Sequence, residues 1–253
     1  MAAKPRRGVN GNVLAVDAGN TRIKWGVHDG TRWLTQQWIA TASVAQLNHA
    51  LAGVPAPRAI VVSNVAGTVL RRELQRALPA KPAPRWIASA RAQCGVSSGY
   101  DEPAQLGCDR WAALIGARRL FRVAAVVVSA GTALTVDALT GDGVFAGGVI
   151  VPGAELMRKA LADNTDALKM RAGAFRFFPG TTGDAIMSGA INASCGTIER
   201  MARFLVEAGQ AAPLCVLSGG GAALIAPHLN LEVQVVDNLV LEGLLTIARE
   251  GWI

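Results

Sequence analysis

A segment near the start of the chain returns about half-way along it. VLAVDAGNTRIKWGV, from Val13, aligns with VVVSAGTALTVDAL, from Val126. Asp17 then falls on Ser129, Gly19 on Gly131 and Asn20 on Thr132, an offset of 112 residues in a chain of 253. In each copy an apolar strand ends in a turn of small polar residues, and alternating strands follow before any helix. A repeat of this size predicts two similar α/β domains, each with three meandering strands ahead of its helices. Their ligand is expected in the cleft between them. The expected boundaries are a disordered tail over 1–12, a first domain over 13–121 and a second over 122–253.

Strands are expected at 13–18, 22–28 and 31–38, with Asp29-Gly30 as a hairpin turn. RAIVVSNVA at 58–66 reads as a buried strand, and GTVLRRELQRALP as an amphipathic helix closed by Pro79. Residues 80–105, rich in Pro, Gly and Ser, read as a long loop region, a place where function concentrates. CDRWAALIGARRLF at 108–121 is helical in pattern. The second copy adds helices near 153–163 and 181–208, strands at 213–217 and 232–235, and a last helix from Asn238.

Apolar residues make up 51% of the chain and charged residues 17%, the balance of a globular protein with a real core. No apolar run reaches the roughly 18 uninterrupted residues of a membrane span, and no signal-peptide pattern follows the basic start. A cytoplasmic protein is expected. The net charge is +7. A basic tail and solvated helix faces account for it, and attraction of anionic ligands is the alternative. Basic and aromatic residues do not interleave as in nucleic-acid binders, so no nucleic-acid partner is expected. Cys94, Cys108, Cys195 and Cys215 form no CxxC pair, which argues against zinc or a disulfide framework. His28, His49 and His228 read as structural.

The chemistry concentrates at the turns. Gly19 lets backbone approach a ligand, and the amides of Asn20 and Thr21 make an anion-binding concavity. Lys24 adds positive charge. Asp17 would repel a phosphate unless it holds Mg²⁺, directly or through water, since that ion takes carboxylate, water and phosphate oxygens. The bland alternative is an ordinary hairpin with polar turn residues. Ser129-Ala130-Gly131-Thr132 and the glycine cluster LSGGGAAL at 217–224 supply two more small-residue elements, while Rossmann and P-loop patterns are absent. Asp109 stands at a helix start, where an acid serves as cap or first-turn residue; the alternative is a general base. Arg110 either neutralises Asp109 or grips a substrate carboxylate. Tyr100, the chain's one tyrosine, shares that loop.

From about residue 12 onward the sequence resembles the type III pantothenate kinases, of the acetate and sugar kinase, Hsc and actin superfamily. DAGNTRIKWG, GYDEPAQLGCDRWAALIGA, SAGTALTVDALTGDGVFAGGVIVPG, GTTGDAIMSGA and LSGGGA carry the resemblance. It implies two duplicated ribonuclease-H-like, actin-like ATPase domains and ATP-dependent phosphorylation of pantothenate, the first step of coenzyme A synthesis. It implies ATP contacts from Asp17, Ala18, Gly19, Asn20, Thr21, Arg22, Ile23 and Lys24, and from Thr132. Asp109 would be the proton acceptor. Tyr100, Gly107, Cys108, Asp109 and Arg110 would hold pantothenate, with Thr182 reaching it from the partner in a homodimer; a helix N-cap is the plain alternative for Thr182. The family's second turn opens on an aspartate that binds potassium or ammonium. Ser129 stands there, and a neutral hydroxyl is a poorer cation ligand, so the dependence is lost or another group supplies the charge. A regulatory, transcription-activating or nucleotide-binding protein on the same scaffold is the competing function.

Overall fold

The structure is a computed structural model that describes residues 11–168 and 171–250. The elements in chain order are β1 (Val13–Ala18), β2 (Arg22–His28), β3 (Trp33–Ala40), α1 (Leu47–Ala50), β4 (Ala59–Asn64), α2 (Gly67–Ala77), β5 (Arg85–Trp86), β6 (Ala92–Gln93), β7 (Val96–Ser98) and α3 (Cys108–Phe121). They continue with β8 (Ala125–Ala130), β9 (Ala133–Leu139), β10 (Val144–Pro152), α4 (Ala154–Asn164), α5 (Thr182–Glu207), β11 (Leu214–Ser218), α6 (Ala222–Ile225), β12 (Val233–Val235) and α7 (Leu239–Glu250). No helix among the described residues is long and apolar enough to cross a membrane.

The chain divides into two units, one of residues 1–121 with 239–253 and one of residues 122–238. The second domain expected over 122–253 is therefore shorter, because α7 belongs to the first unit. The reason is packing. Leu241, Leu244, Leu245 and Ala248 of α7 join one cluster with Val13 and Ala15 of β1, Ala59 and Val61 of β4 and Ala112 of α3. The tail expected over 1–12 lies, up to residue 10, outside the described residues.

In the first unit the sheet order is β3-β2-β1-β4-β5. β1 runs antiparallel to β2 and parallel to β4. In the second unit β10, β9, β8, β11 and β12 follow one another in the same arrangement. There β8 is antiparallel to β9 and parallel to β11. The sequence repeat is thus a repeat of topology. Alternation along β1 decides what meets what. Leu14, Val16 and Ala18 face α2 residues Leu70 and Leu74, whereas Val13 and Ala15 face α3 and α7. Asp17 continues the second series. In the second unit α5 packs Ile191, Cys195, Ile198 and Ala202 on β8, β9 and β11.

Two local expectations change. The stretch 80–105 carries three short strands and a 3₁₀ turn at Pro103–Gln105; strands of two or three residues leave no periodicity to read. The second polar turn is also one residue shorter than the first. Asp17 pairs with Lys24, but Ser129 pairs with Thr135.

Candidate active site

The C-terminal end of β1 and the N-terminal end of α3 bring Asp17 and Asp109 into electrostatic contact. Asp17 and Ser63 are in register on parallel strands, so both side chains leave the same face of the sheet. Ser63 is fully buried, and its Oγ lies 3.4 Å from the Cys108 Sγ at the start of α3. The Cys108 thiol also donates to the Asn64 carbonyl at 3.6 Å. β4 is thereby tied to the helix that carries Asp109.

Both carboxyls are perturbed, for different balances of causes. Burial pushes Asp17 up to about 7, and the Asp109 charge adds to the rise; the Lys24 ammonium and a hydrogen bond with Ser63 oppose it. Asp17 Oδ1 is shut away from solvent without a hydrogen-bond partner. A buried, unpartnered carboxylate oxygen costs free energy that a bound cation would remove. The donor set therefore fits a hard cation such as Mg²⁺. Among the described residues no cluster of three or more His, Cys, Asp or Glu side chains forms a self-sufficient metal cage. An ion carried by nucleotide phosphates needs no such cage.

Burial also raises Asp109, against the backbone N–H of Arg110 and the Arg110 charge. That N–H donates to Asp109 Oδ1 at 2.7 Å. A Cβ at position 107 would sit 2.7 Å from the same oxygen, so Gly107 leaves the carboxylate room. Arg110 is buried, and its Nη1 lies 3.5 Å from the Tyr100 hydroxyl. The guanidinium thus reaches toward Tyr100 while its charge still holds Asp109 down. Burial raises the Cys108 thiol, which keeps it protonated.

The turn after Asp17 is closed by Gly19 N–H donating to the Arg22 carbonyl at 3.0 Å and by the Thr41 hydroxyl donating to the Gly19 carbonyl at 2.8 Å. Asn20, Thr21 and Arg22 are exposed there, and Ala18 and Ile23 are buried. Arg22 stacks on the Trp38 ring at 4.3 Å. In the second unit Gly131 N–H repeats the closure, donating to the Ala133 carbonyl at 3.0 Å, with Thr132 exposed beside it. Ser129 faces Thr135 and Ser218 across its two neighbouring strands. The positions of Asp17, Lys24 and Ser63 are thus held by three hydroxyls in the second copy. Gly219 has φ +100°, and a Cβ there would sit 2.5 Å from the Ala130 carbonyl, so the glycine cluster is packed on this turn. Thr182 is exposed in the first turn of α5 and is not its cap; the neighbouring Thr181 accepts from the Asp184 N–H. Thr182 lines an apolar groove with Met157, Leu161, Leu168 and Ile186. Phe177 and Phe178, just ahead of it, are 88% and 96% exposed.

Ser63 and Arg91 escape sequence reasoning. One is a lone serine in an apolar run, the other a charge in an apparent loop. His28 accepts the Gly30 N–H at 3.0 Å and meets Arg249 at 2.9 Å, a structural role. The four cysteines are free thiols.

Duplicated sheets of this order are those of the actin-like ATPase fold. The chain matches a putative N-acetylmannosamine kinase from Listeria monocytogenes at TM-score 0.53 and 14% identity, covering 94% of this chain and 98% of that one. It matches a putative Baf family transcriptional activator from Campylobacter jejuni at TM-score 0.59 and 18% identity, covering 92% and 96%. At such identities both speak for fold alone. The family model described as type III pantothenate kinase matches residues 13–204. The type III pantothenate kinase of Nitrosospira multiformis is 48% identical over 243 residues, 96% of this chain and 93% of its relative. The chain belongs to the type III pantothenate kinase family and is an ATP-dependent kinase acting on pantothenate in coenzyme A biosynthesis. The regulatory alternative is not favoured.

Proposed function

We propose that phosphoryl transfer is centred on Asp17 and Asp109. The observation that carries this reading is the buried, unpartnered Asp17 Oδ1 beside a second carboxylate raised by burial. Asp17 would hold Mg²⁺ with the nucleotide, and that ion would supply neutralisation of phosphate charge. Ala18, Gly19, Asn20, Thr21, Arg22, Ile23 and Lys24 line the phosphates, and Thr132 is the second unit's contact. Tyr100, Gly107, Cys108 and Arg110 hold pantothenate, with Arg110 matched to its carboxylate.

Asp109 accepts the proton of the primary hydroxyl. The hydroxyl oxygen bonds to the γ-phosphorus, the bond from that phosphorus to the β–γ bridging oxygen breaks, and ADP leaves. Positioning and charge neutralisation supply most of the acceleration in such transfers. A raised pKa brings Asp109 nearer the working pH, which favours a base. Asp109→Asn is expected to lower kcat by about 10²–10⁴ with circular dichroism unchanged. An unchanged kcat removes Asp109 from the role.

We further propose a cytoplasmic homodimer in which Thr182 reaches the partner's pantothenate. The exposed Phe177 and Phe178 ahead of Thr182 support it. Ser129, among hydroxyls, makes a weak monovalent-cation position. ADP formation is expected to change little when potassium or ammonium replaces an inert cation such as tetramethylammonium. Strict dependence would show that another group supplies the charge.

A further inference from the structure

We propose that Arg91 is a positioning residue for the acceptor substrate, acting through Tyr100. This rests on the reading that Tyr100 and Arg110 hold pantothenate, and it adds what fixes Tyr100 in place. β6 and β7 form a two-residue hairpin, with Ala92 opposite Ser97 and Gln93 opposite Val96. Its turn residues Cys94 and Gly95 both have positive φ, 49° and 77°. That is the type I′ geometry, whose twist suits a tight hairpin.

The side chains of Gln93 and Arg91 both fasten the hairpin. Gln93 Oε1 accepts the Trp111 indole N–H at 3.0 Å, which fastens it to α3, the helix of Asp109 and Arg110. Arg91, at the other end, spans the chain beyond β7. Its Nη1 donates to the Tyr100 carbonyl at 2.8 Å and to the Ser98 carbonyl at 3.3 Å. Its Nη2 donates to the Asp101 carbonyl at 2.8 Å. The Arg91 carbonyl accepts the Ser98 N–H at 2.9 Å.

One guanidinium therefore collects three carbonyls from a four-residue bend. Only a planar fork of donors does this; an ammonium is a point donor. The bend brings the Tyr100 hydroxyl within 3.5 Å of Arg110 Nη1. Without Arg91 the carbonyls turn to water and the bend gains conformers. The substrate must then order Tyr100 itself, and that cost appears in its binding. The Arg91 guanidinium donates to this bend and not to the turn after Asp17, so the nucleotide is expected to be spared.

The experiment compares Arg91→Ala, Arg91→Lys, Tyr100→Ala and the Arg91→Ala/Tyr100→Ala double variant in the full chain. Arg91→Ala is expected to raise the KM for pantothenate about tenfold, with the KM for ATP and kcat within about threefold. Arg91→Lys falls between. In the Tyr100→Ala background the Arg91 change is expected to add less than twofold, the sign of a shared path. The chain has a single tyrosine, so fluorotyrosine labelling gives one ¹⁹F resonance. That line is expected to broaden or shift in Arg91→Ala and to move back on adding pantothenate.

Equal rises in both KM values, independent effects in the double variant, or an unmoved ¹⁹F line overturn the proposal. If Arg91→Ala fails to fold, Arg91→Lys decides by the same readouts. If Tyr100→Ala and Arg110→Ala leave the pantothenate KM unchanged, the underlying site reading fails instead.

Discussion

Asp17 is a residue kept at a cost to the fold. Burial above all pushes its carboxyl up to about 7, from 3.8 for the ordinary group. A raised acid pKa means that the folded state holds the proton more tightly than the unfolded chain. Its contribution to stability is present below about pH 4 and is lost as the pH rises from there through about 7. Asp17→Asn is therefore expected to stabilise the ligand-free protein at pH 8 by about 1–3 kcal/mol, and to change little at pH 4. The same variant should lose the melting-temperature shift that Mg²⁺-ATP gives the parent. Differential scanning calorimetry at the two pH values, with and without Mg²⁺-ATP, checks both. A variant less stable at pH 8 would show that the charge is already compensated. Of this pair the sequence revealed the identities but not the coupling. Asp17 was legible because an acid ends an apolar strand. That it leaves the face shared with Ser63 and α3 depends on which helix covers which side, and no residue pattern states that.

Among the elements, α3 and α7 pack backbone against backbone. A Cβ on Gly116 would sit 2.6 Å from the Leu239 carbonyl oxygen, and one on Gly243 would overlap the Ala112 carbonyl. Both contacts are to backbone, which has no rotamer to yield. Gly243→Ala is expected to cost about 3 kcal/mol, at the upper end of overpacking, by forcing the helices apart. Its effect should reach kcat, because α3 carries Asp109. Urea unfolding with a parallel kinetic assay checks this; wild-type stability would mean that the helices slide past one another freely. The strand expected over 31–38 starts and ends two residues later, at Trp33–Ala40, whereas the bounds of α3, β1 and β2 followed from periodicity and turn residues. The three short strands within 80–105 did not, since the tie from Arg91 to three carbonyls comes from tertiary structure. Nor did the partner of α7: its apolar stripe says that it packs, and only the fit of Gly243 against Ala112 says where.

At the scale of the molecule the chain leaves the first unit after Phe121 and comes back to it at Leu239. Removing residues 239–253 is expected to destabilise the first unit, although the cut falls next to the second. The stripped face would expose Val13, Ala15, Ala59 and Val61. Hydrogen exchange on the truncated protein should show early loss of protection in β1 and β4, with β8 and β11 still protected. Equal loss in both units would mean that they unfold as one.

The return of α7 also sets an order of events during synthesis. The ribosome makes β1, β4 and α3 before the second unit, and the helix that seals them only after it. The inserted unit can complete its own core while the nascent chain is still tethered. The earlier half has to wait with an open apolar face, and it is there that a chaperone would find its footing.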